Sequence, residues 1–260
     1  LGGLAGVTAS QLSGVELDAY RTAETRMIVN TYIGLAIALA IIALAVFLFR
    51  HRLKNEKHEQ GSPLAGFSLL KQPRFGLGAM CIFLYVGAEV AIGSLIVNYL
   101  MQSGVMGLDE RSAGDMIMYY WGGAMVGRFI GSGVLRLISP GKILAGVSIG
   151  AITLILISIN TDGAVSGYSL LAIGLMNSIM FPTIFSLACE GLGPRAADGS
   201  GIINIAIFGG AVVPLLTGML ADLSGSLGTA LLLPACCYAI IAYFGYYARR
   251  PHPALAASGA

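Results

Sequence analysis

At 260 residues, with 56% apolar residues, 11% charged residues and a mean hydropathy of +0.81, the chain cannot cover a water-facing surface, because soluble domains carry about 25% charged residues. It reads as an integral membrane protein. A net charge of only +2, with its basic residues scattered along the chain, excludes a nucleic-acid surface, which needs Lys and Arg gathered on one face.

A helix needs about 20 apolar residues to cross a hydrocarbon layer of about 30 Å. Backbone facing lipid must satisfy its own hydrogen bonds, so each such run is expected to be helical. Residues 1–27 form an extracytoplasmic segment, followed by a leading span over residues 28–49. A basic linker over residues 50–74 comes next, with six Lys and Arg, His51, His58 and a Gly61-Ser62-Pro63 break. Six further spans fill residues 75–247: Phe75–Leu100, Met116–Ile138, Ile143–Ile159, Tyr168–Cys189, Ile202–Ala221 and Thr229–Tyr247. Residues 248–260 form the tail.

Positive charge sets orientation. Arg50, Arg52, Lys54, Lys57, Lys71, Arg74, Arg128, Arg136, Lys142, Arg195, Arg249 and Arg250 fall on one side of the seven spans, and only Arg21, Arg26 and Arg111 on the other. Twelve against three puts the first group, with the C-terminus, in the cytoplasm. The chain starts at Leu1, with no leader pattern after it, and has an odd number of spans. It therefore reads as a fragment of a longer protein.

One leading span and six compact ones suggest a complete six-helix unit, an arrangement that membrane carriers build from two inverted three-helix repeats. The first span of each triplet has a polar residue near its middle, Glu89 in one and Asn177 in the other. Gly123, Gly127 and Gly131, and again Gly146 and Gly150, are spaced by four, which lines small residues along one helix face for close packing. Pro182 and Pro214 fall inside spans, and kinks are expected there.

Glu89 is the one acidic residue deep in an apolar run. A carboxylate there costs a few kcal/mol unless it faces protein or water, which makes it a candidate ligand acceptor or proton carrier. Tyr85 and Gly93 share its helix face. Asn98, Asn177 and Asn204 offer both donors and acceptors, suited to a polyhydroxylated ligand, and serve equally as glue between helices. Tyr119, Tyr120 and Trp121 sit where an interfacial aromatic belt is expected, with Tyr120 the candidate for stacking on a sugar ring. Arg128 either snorkels to the interface or pairs with an acidic residue as a gating latch. Cys81, Cys189, Cys236 and Cys237 lie in apolar runs as small buried residues. No Cys or His grouping has metal-ligand spacing, so neither metal nor cofactor is expected. No span holds a His or Asp pair for acid–base chemistry, which argues against an enzyme.

Four stretches together, FLYVGAEVAIGSLIVNYL (Phe83–Leu100), YWGGAMVGRFIGS (Tyr120–Ser132), NSIMFPTIFSLACEGLG (Asn177–Gly193) and GSGIINIAIFGGAVVPLLTGMLAD (Gly199–Asp222), resemble the C-terminal half of major facilitator superfamily sugar transporters. The likeness is to the fucose–galactose–proton symporter family and its glucose/galactose branch. It implies an all-α major facilitator-type bundle, with this chain holding the sixth helix and the C-terminal six-helix half. It also implies a hexose carried by alternating access across a bacterial inner membrane, with protons coupled and an N-terminal half supplied elsewhere. The spans of Glu89 and Asn177 correspond to cavity-lining helices, and Gly127-Arg128 resembles a cytoplasmic gating motif without its usual acidic neighbour. A seven-helix receptor is the alternative that the helix count alone suggests.

Overall fold

The computed structural model describes residues 13–49 and 63–250, and among them every regular element is helical. The chain divides into two compact units between Gln60 and Gly61. The described residues of the first form one helix, α1, Val15–Phe49, with Glu16 and Asp18 in its first turn, where carboxylates meet the positive end of the helix dipole. Its apolar part is Val29–Phe49. The helix therefore extends back into the segment assigned outside the membrane. Residues 1–12, the linker residues 50–62 with His51 and His58, and the tail residues 251–260 with His252 lie outside the described residues.

The second unit opens with a 3-10 segment, Pro63–Lys71, and continues with three unbroken helices: α2, Pro73–Met101; α3, Glu110–Val134; and α4, Pro140–Asn160. Each of the next three spans is two helices, where the sequence suggested one. These are α5, Gly163–Asn177, with α6, Met180–Cys189; α7, Ala196–Ala206, with α8, Gly209–Ser224; and α9, Leu227–Ala230, with α10, Leu232–Tyr247.

Proline placement accounts for much of this difference. Pro73 and Pro140 open α2 and α4, where the missing N–H has no helical partner to lose. Pro182 and Pro234 lie just beyond breaks, and neither can donate to the carbonyl four residues back, Ser178 and Ala230. The kink expected at Pro214 is displaced. That proline sits inside α8, and the chain breaks at Ile207–Phe208, just before Gly209 comes against the α2 backbone.

Among the described residues, six stretches are long and apolar enough to cross a membrane. The seventh expected span, α3, has the length, with 25 residues, but its glycines, Tyr119, Tyr120 and Arg128 leave it too polar to be counted with the others.

The two triplets pack on one plan. Exchanging them maps α2 onto α5–α6, α3 onto α7–α8 and α4 onto α9–α10. Accordingly, α2 packs on α8 as α5 packs on α3, α10 packs on α2 as α4 packs on α5, and the α4–α10 contact maps onto itself. Glycines permit the close approaches. A methyl group on Gly209 would overlap the Phe83 carbonyl of α2, and one on Gly174 would overlap the Tyr120 carbonyl of α3. The Gly123, Gly127 and Gly131 stripe faces Leu175, Ser178 and Ile179, as its spacing predicted. The second pair is only half used, because Gly150 meets Met176 while Gly146 faces open space.

The core is continuous through α2, which buries thirteen residues. Cys81 and Cys237 belong to it, but Cys189 is half-buried and Cys236 exposed, because neighbouring residues on a helix point about 100° apart. Polar clamps hold both ends of α2. At its start, Arg74 pairs with Glu190, donates from Nε to the Leu187 carbonyl at 3.0 Å, and reaches the Arg250 carbonyl at 3.0 Å. At its end, the Tyr99 hydroxyl lies 2.9 Å from the Ser158 carbonyl and 3.0 Å from Ser166 Oγ, joining α2 to α4 and α5.

Candidate functional site

The sequence marks Glu89 and Asn177 as mid-span polar residues of the two triplets, and packing of α2 against the α5–α6 span brings them into one network. Glu89 is half-buried. Its Oε1 accepts a hydrogen bond from the Tyr85 hydroxyl at 2.8 Å, one helical turn back on the same face. The same hydroxyl lies 3.0 Å from the main-chain carbonyl of Asn177. Tyr85 thus bridges the carboxylate and the last residue of α5.

The Asn177 side chain is 1% exposed and both ends of its amide are engaged. Nδ2 donates to the Tyr120 oxygen at 2.8 Å, and Oδ1 accepts from the Tyr238 hydroxyl at 2.7 Å. Four helices therefore converge on one cluster: α2 through Tyr85 and Glu89, α3 through Tyr120, α5 through Asn177, and α10 through Tyr238. Burial makes such a network expensive to leave incomplete, so its satisfaction holds the helices in register.

Tyr120 is fully buried, unlike exposed Tyr119 and Trp121, and meets Trp121 edge-on with centroids 5.1 Å apart. The belt role fits its two neighbours. Tyr120 itself faces inward, where it holds the Asn177 amide and cannot stack on a ligand. Phe181 of α6 lies against Tyr85, with centroids 6.3 Å apart, and stacks on Phe185.

Arg128 is exposed on α3, and its Nε is 3.4 Å from the Ser178 carbonyl. That acceptor is the one that Pro182 leaves without a helical donor. Gly127 lets α3 approach closely enough, since it sits directly over Leu175 and Ser178. No carboxylate lies within ion-pair distance of Arg128 among the described residues.

Two candidates stay apart from this cluster. Asn98 is exposed on α2, nine residues beyond Glu89, which is about 13 Å along the helix axis. Asn204 is exposed on α7 and bonds to none of the clustered side chains. Tyr238 was absent from the sequence expectations, although a tyrosine inside an apolar run carries a hydroxyl that must find a partner. The described residues hold no grouping of His, Cys, Asp and Glu suited to a metal.

Known proteins share this chain's sequence and architecture. It is 46% identical over 228 residues to the glucose/galactose transporter of Brucella abortus, an alignment covering 88% of this chain and 55% of that protein. It is 30% identical over 247 residues to the L-fucose-proton symporter of Escherichia coli, covering 91% and 55%. The crystal structure of the E. coli fucose:proton symporter matches with a TM-score of 0.75 at 28% identity, over 95% of this chain and 63% of that one. The chain spans about half the length of the curated relatives it matches. The model of the Major Facilitator Superfamily matches residues 2–214, and the chain belongs to that family.

Proposed function

We propose that this chain is part of a secondary transporter that moves a hexose across a bacterial inner membrane by alternating access, coupled to protons. The observation that carries the reading is Glu89, an intramembrane carboxylate with Oε1 held by Tyr85 and no protein hydrogen bond to Oε2 among the described residues. An acceptor oxygen fixed in a half-buried site suits a sugar hydroxyl or a transported proton. The substrate class follows the glucose/galactose relative and the coupling ion the fucose-proton relative. The rest of the carrier, including an N-terminal half, completes the cavity. The basic end, with Arg74, Arg136, Lys142, Arg195, Arg249 and Arg250, faces the cytoplasm together with the C-terminus.

Asn177 holds the helices together in this scheme and Glu89 meets the ligand. Asn98 and Asn204, exposed on α2 and α7, are the amides available to a sugar or to the opposing half, and Arg128 holds the broken helix as part of the gate.

Uptake of labelled glucose, galactose and fucose by transport-deficient cells expressing the full-length protein, with and without a protonophore, tests the reading. One sugar should accumulate and its uptake should collapse with the proton gradient. Glu89→Gln should abolish or uncouple that uptake at normal membrane levels. Absence of uptake of all three sugars, with insertion confirmed, would refute the assignment.

A further inference from the structure

The Tyr85 hydroxyl has one hydrogen and two acceptors in reach, Glu89 Oε1 at 2.8 Å and the Asn177 carbonyl at 3.0 Å. One hydrogen cannot serve both fully. An ionised carboxylate is the stronger acceptor and takes it, because bonds to charged groups are roughly twice as strong as neutral ones. A protonated Glu89 reverses the arrangement. Its carboxyl O–H donates to the Tyr85 oxygen, and the Tyr85 hydrogen turns to the Asn177 carbonyl, leaving every group satisfied.

That carbonyl stands at a sensitive place. Asn177 is the last residue of α5, and the chain breaks over Ser178–Ile179 before α6 begins. In a continuous helix the carbonyl would accept from the N–H four residues on, that of Phe181. A hydroxyl bonded there takes the place of that donor and favours the break. The adjoining Ser178 carbonyl already depends on an outside donor, Arg128.

Building on the transporter reading, we propose that the Tyr85 hydroxyl is a two-position switch that reports the charge of Glu89 to the α5–α6 break. With Glu89 ionised, the hydroxyl stays on the carboxylate and releases the Asn177 carbonyl. With Glu89 protonated, it moves to the carbonyl and stabilises the broken form. One proton is taken up at Glu89 and returned from it, and Tyr85 stays neutral throughout. The titratable and charged groups that face Glu89 from neighbouring helices are Tyr120 and Arg128 of α3 and Tyr238 of α10. α5 and α6 contain no charged residue, and α8 has only Asp222 near its C-terminal end. Tyr85 is a positioning residue in this scheme, acting through Glu89 and the hinge.

The test is Tyr85→Phe in the full-length protein, which removes the hydroxyl and keeps the ring against Phe181. In reconstituted vesicles, the pH dependence of kcat for sugar uptake should flatten to within about twofold across the titration of Glu89, while KM for the sugar stays within about threefold of the parent. Glu89→Gln, which loses coupled uptake, is compared by sugar exchange across the vesicle membrane, where its pH profile should be flat as in Tyr85→Phe, and the double variant should add nothing further, since residues acting as one unit are non-additive. A wild-type pH profile in Tyr85→Phe, or losses in the double variant that multiply, would overturn the switch. A readout independent of transport separates this outcome from failure of the transporter reading. In infrared pH-difference spectra of the purified protein, the carboxyl band that Glu89→Gln removes should shift in frequency in Tyr85→Phe, and an unshifted band would likewise refute the switch.

Discussion

The two triplets of the second unit share a contact plan and differ in continuity. α2, α3 and α4 run unbroken, while their counterparts are the split pairs α5–α6, α7–α8 and α9–α10. Proline at a helix start in the first triplet, and inside or just beyond a break in the second, underlies much of that difference. The split triplet exposes backbone carbonyls inside the bundle, and the unbroken triplet supplies side chains for them, Tyr85 to Asn177 and Arg128 to Ser178. At the α5–α6 break the donors come from the unbroken triplet and the acceptors from the split one, so the break is held by groups on α2 and α3.

The comparison can be broken most severely at its shared contacts. Gly209→Ala and Gly174→Ala each drive a methyl group into a carbonyl of the other triplet, and each should cost about 3 kcal/mol, at the upper end for overpacking. Gly122→Ala and Gly218→Ala, with open space around them, should be near neutral. Thermal unfolding in detergent would compare the four, and equal losses at all of them would undo the exchange symmetry.

Asn177→Ala strips Tyr120 and Tyr238 of their shared partner and should cost about 2 kcal/mol, within the range for buried unsatisfied groups. Tyr99→Phe at the far end of α2 should cost less, about 0.6 kcal/mol as for an average interhelical bond in membranes. The same unfolding assay ranks them, and a reversed order would move the centre of cohesion away from Asn177.

The dependence of the break on Arg128 can be isolated with Pro182→Ala, which returns an N–H to the Ser178 carbonyl. Arg128→Ala should cost about 1 kcal/mol beside Pro182 and less beside Ala, a coupling that a double-mutant cycle reads directly. Equal costs in both backgrounds would show that Arg128 does not serve the break.

The smallest effect lies at helix starts. α3 opens on Asp109, whose carboxylate accepts from the Ser112 amide, and hydrogen bonding by Ser112 holds its pKa below the ordinary 3.8. α7 opens without a side-chain cap. Because the folded pKa is lowered, the cap's contribution is present above 3.8 and lost as pH falls through the lowered value. Amide exchange, corrected for intrinsic rates, should therefore speed up in the first turn of α3 in acid and stay level in that of α7. A level response in both would remove the cap from the account.

Much of this was legible in the residues. Long apolar runs force helices because lipid offers backbone groups no partner, so helical structure covers each of the seven expected runs, three of them with a break. Glu89 and Asn177 stood out because polar groups at that depth need partners. The glycine stripe of α3 also packs as its spacing implied. Other features depended on neighbours that the sequence does not name. Pro214 was expected to mark its kink, yet the break formed where Gly209 meets α2. Tyr120 looked interfacial beside Tyr119 and Trp121, but the phase of α3 against α5 turned it inward. Tyr238 passed as one apolar-run residue among many until α10 brought its hydroxyl to Asn177.

The sequence by itself determined the class, the helical secondary structure, the family resemblance and the place of Glu89 midway along an apolar run, because each follows from hydropathy, backbone hydrogen bonding or motif. Only the tertiary structure decided that Asn177 is a buried hub, that Arg128 bonds a main-chain carbonyl, and that Tyr85 stands between Glu89 and the α5–α6 break. Those are relations between helices distant in the chain, fixed by helix rotation and close glycine contacts, and no local pattern encodes the partner across the gap.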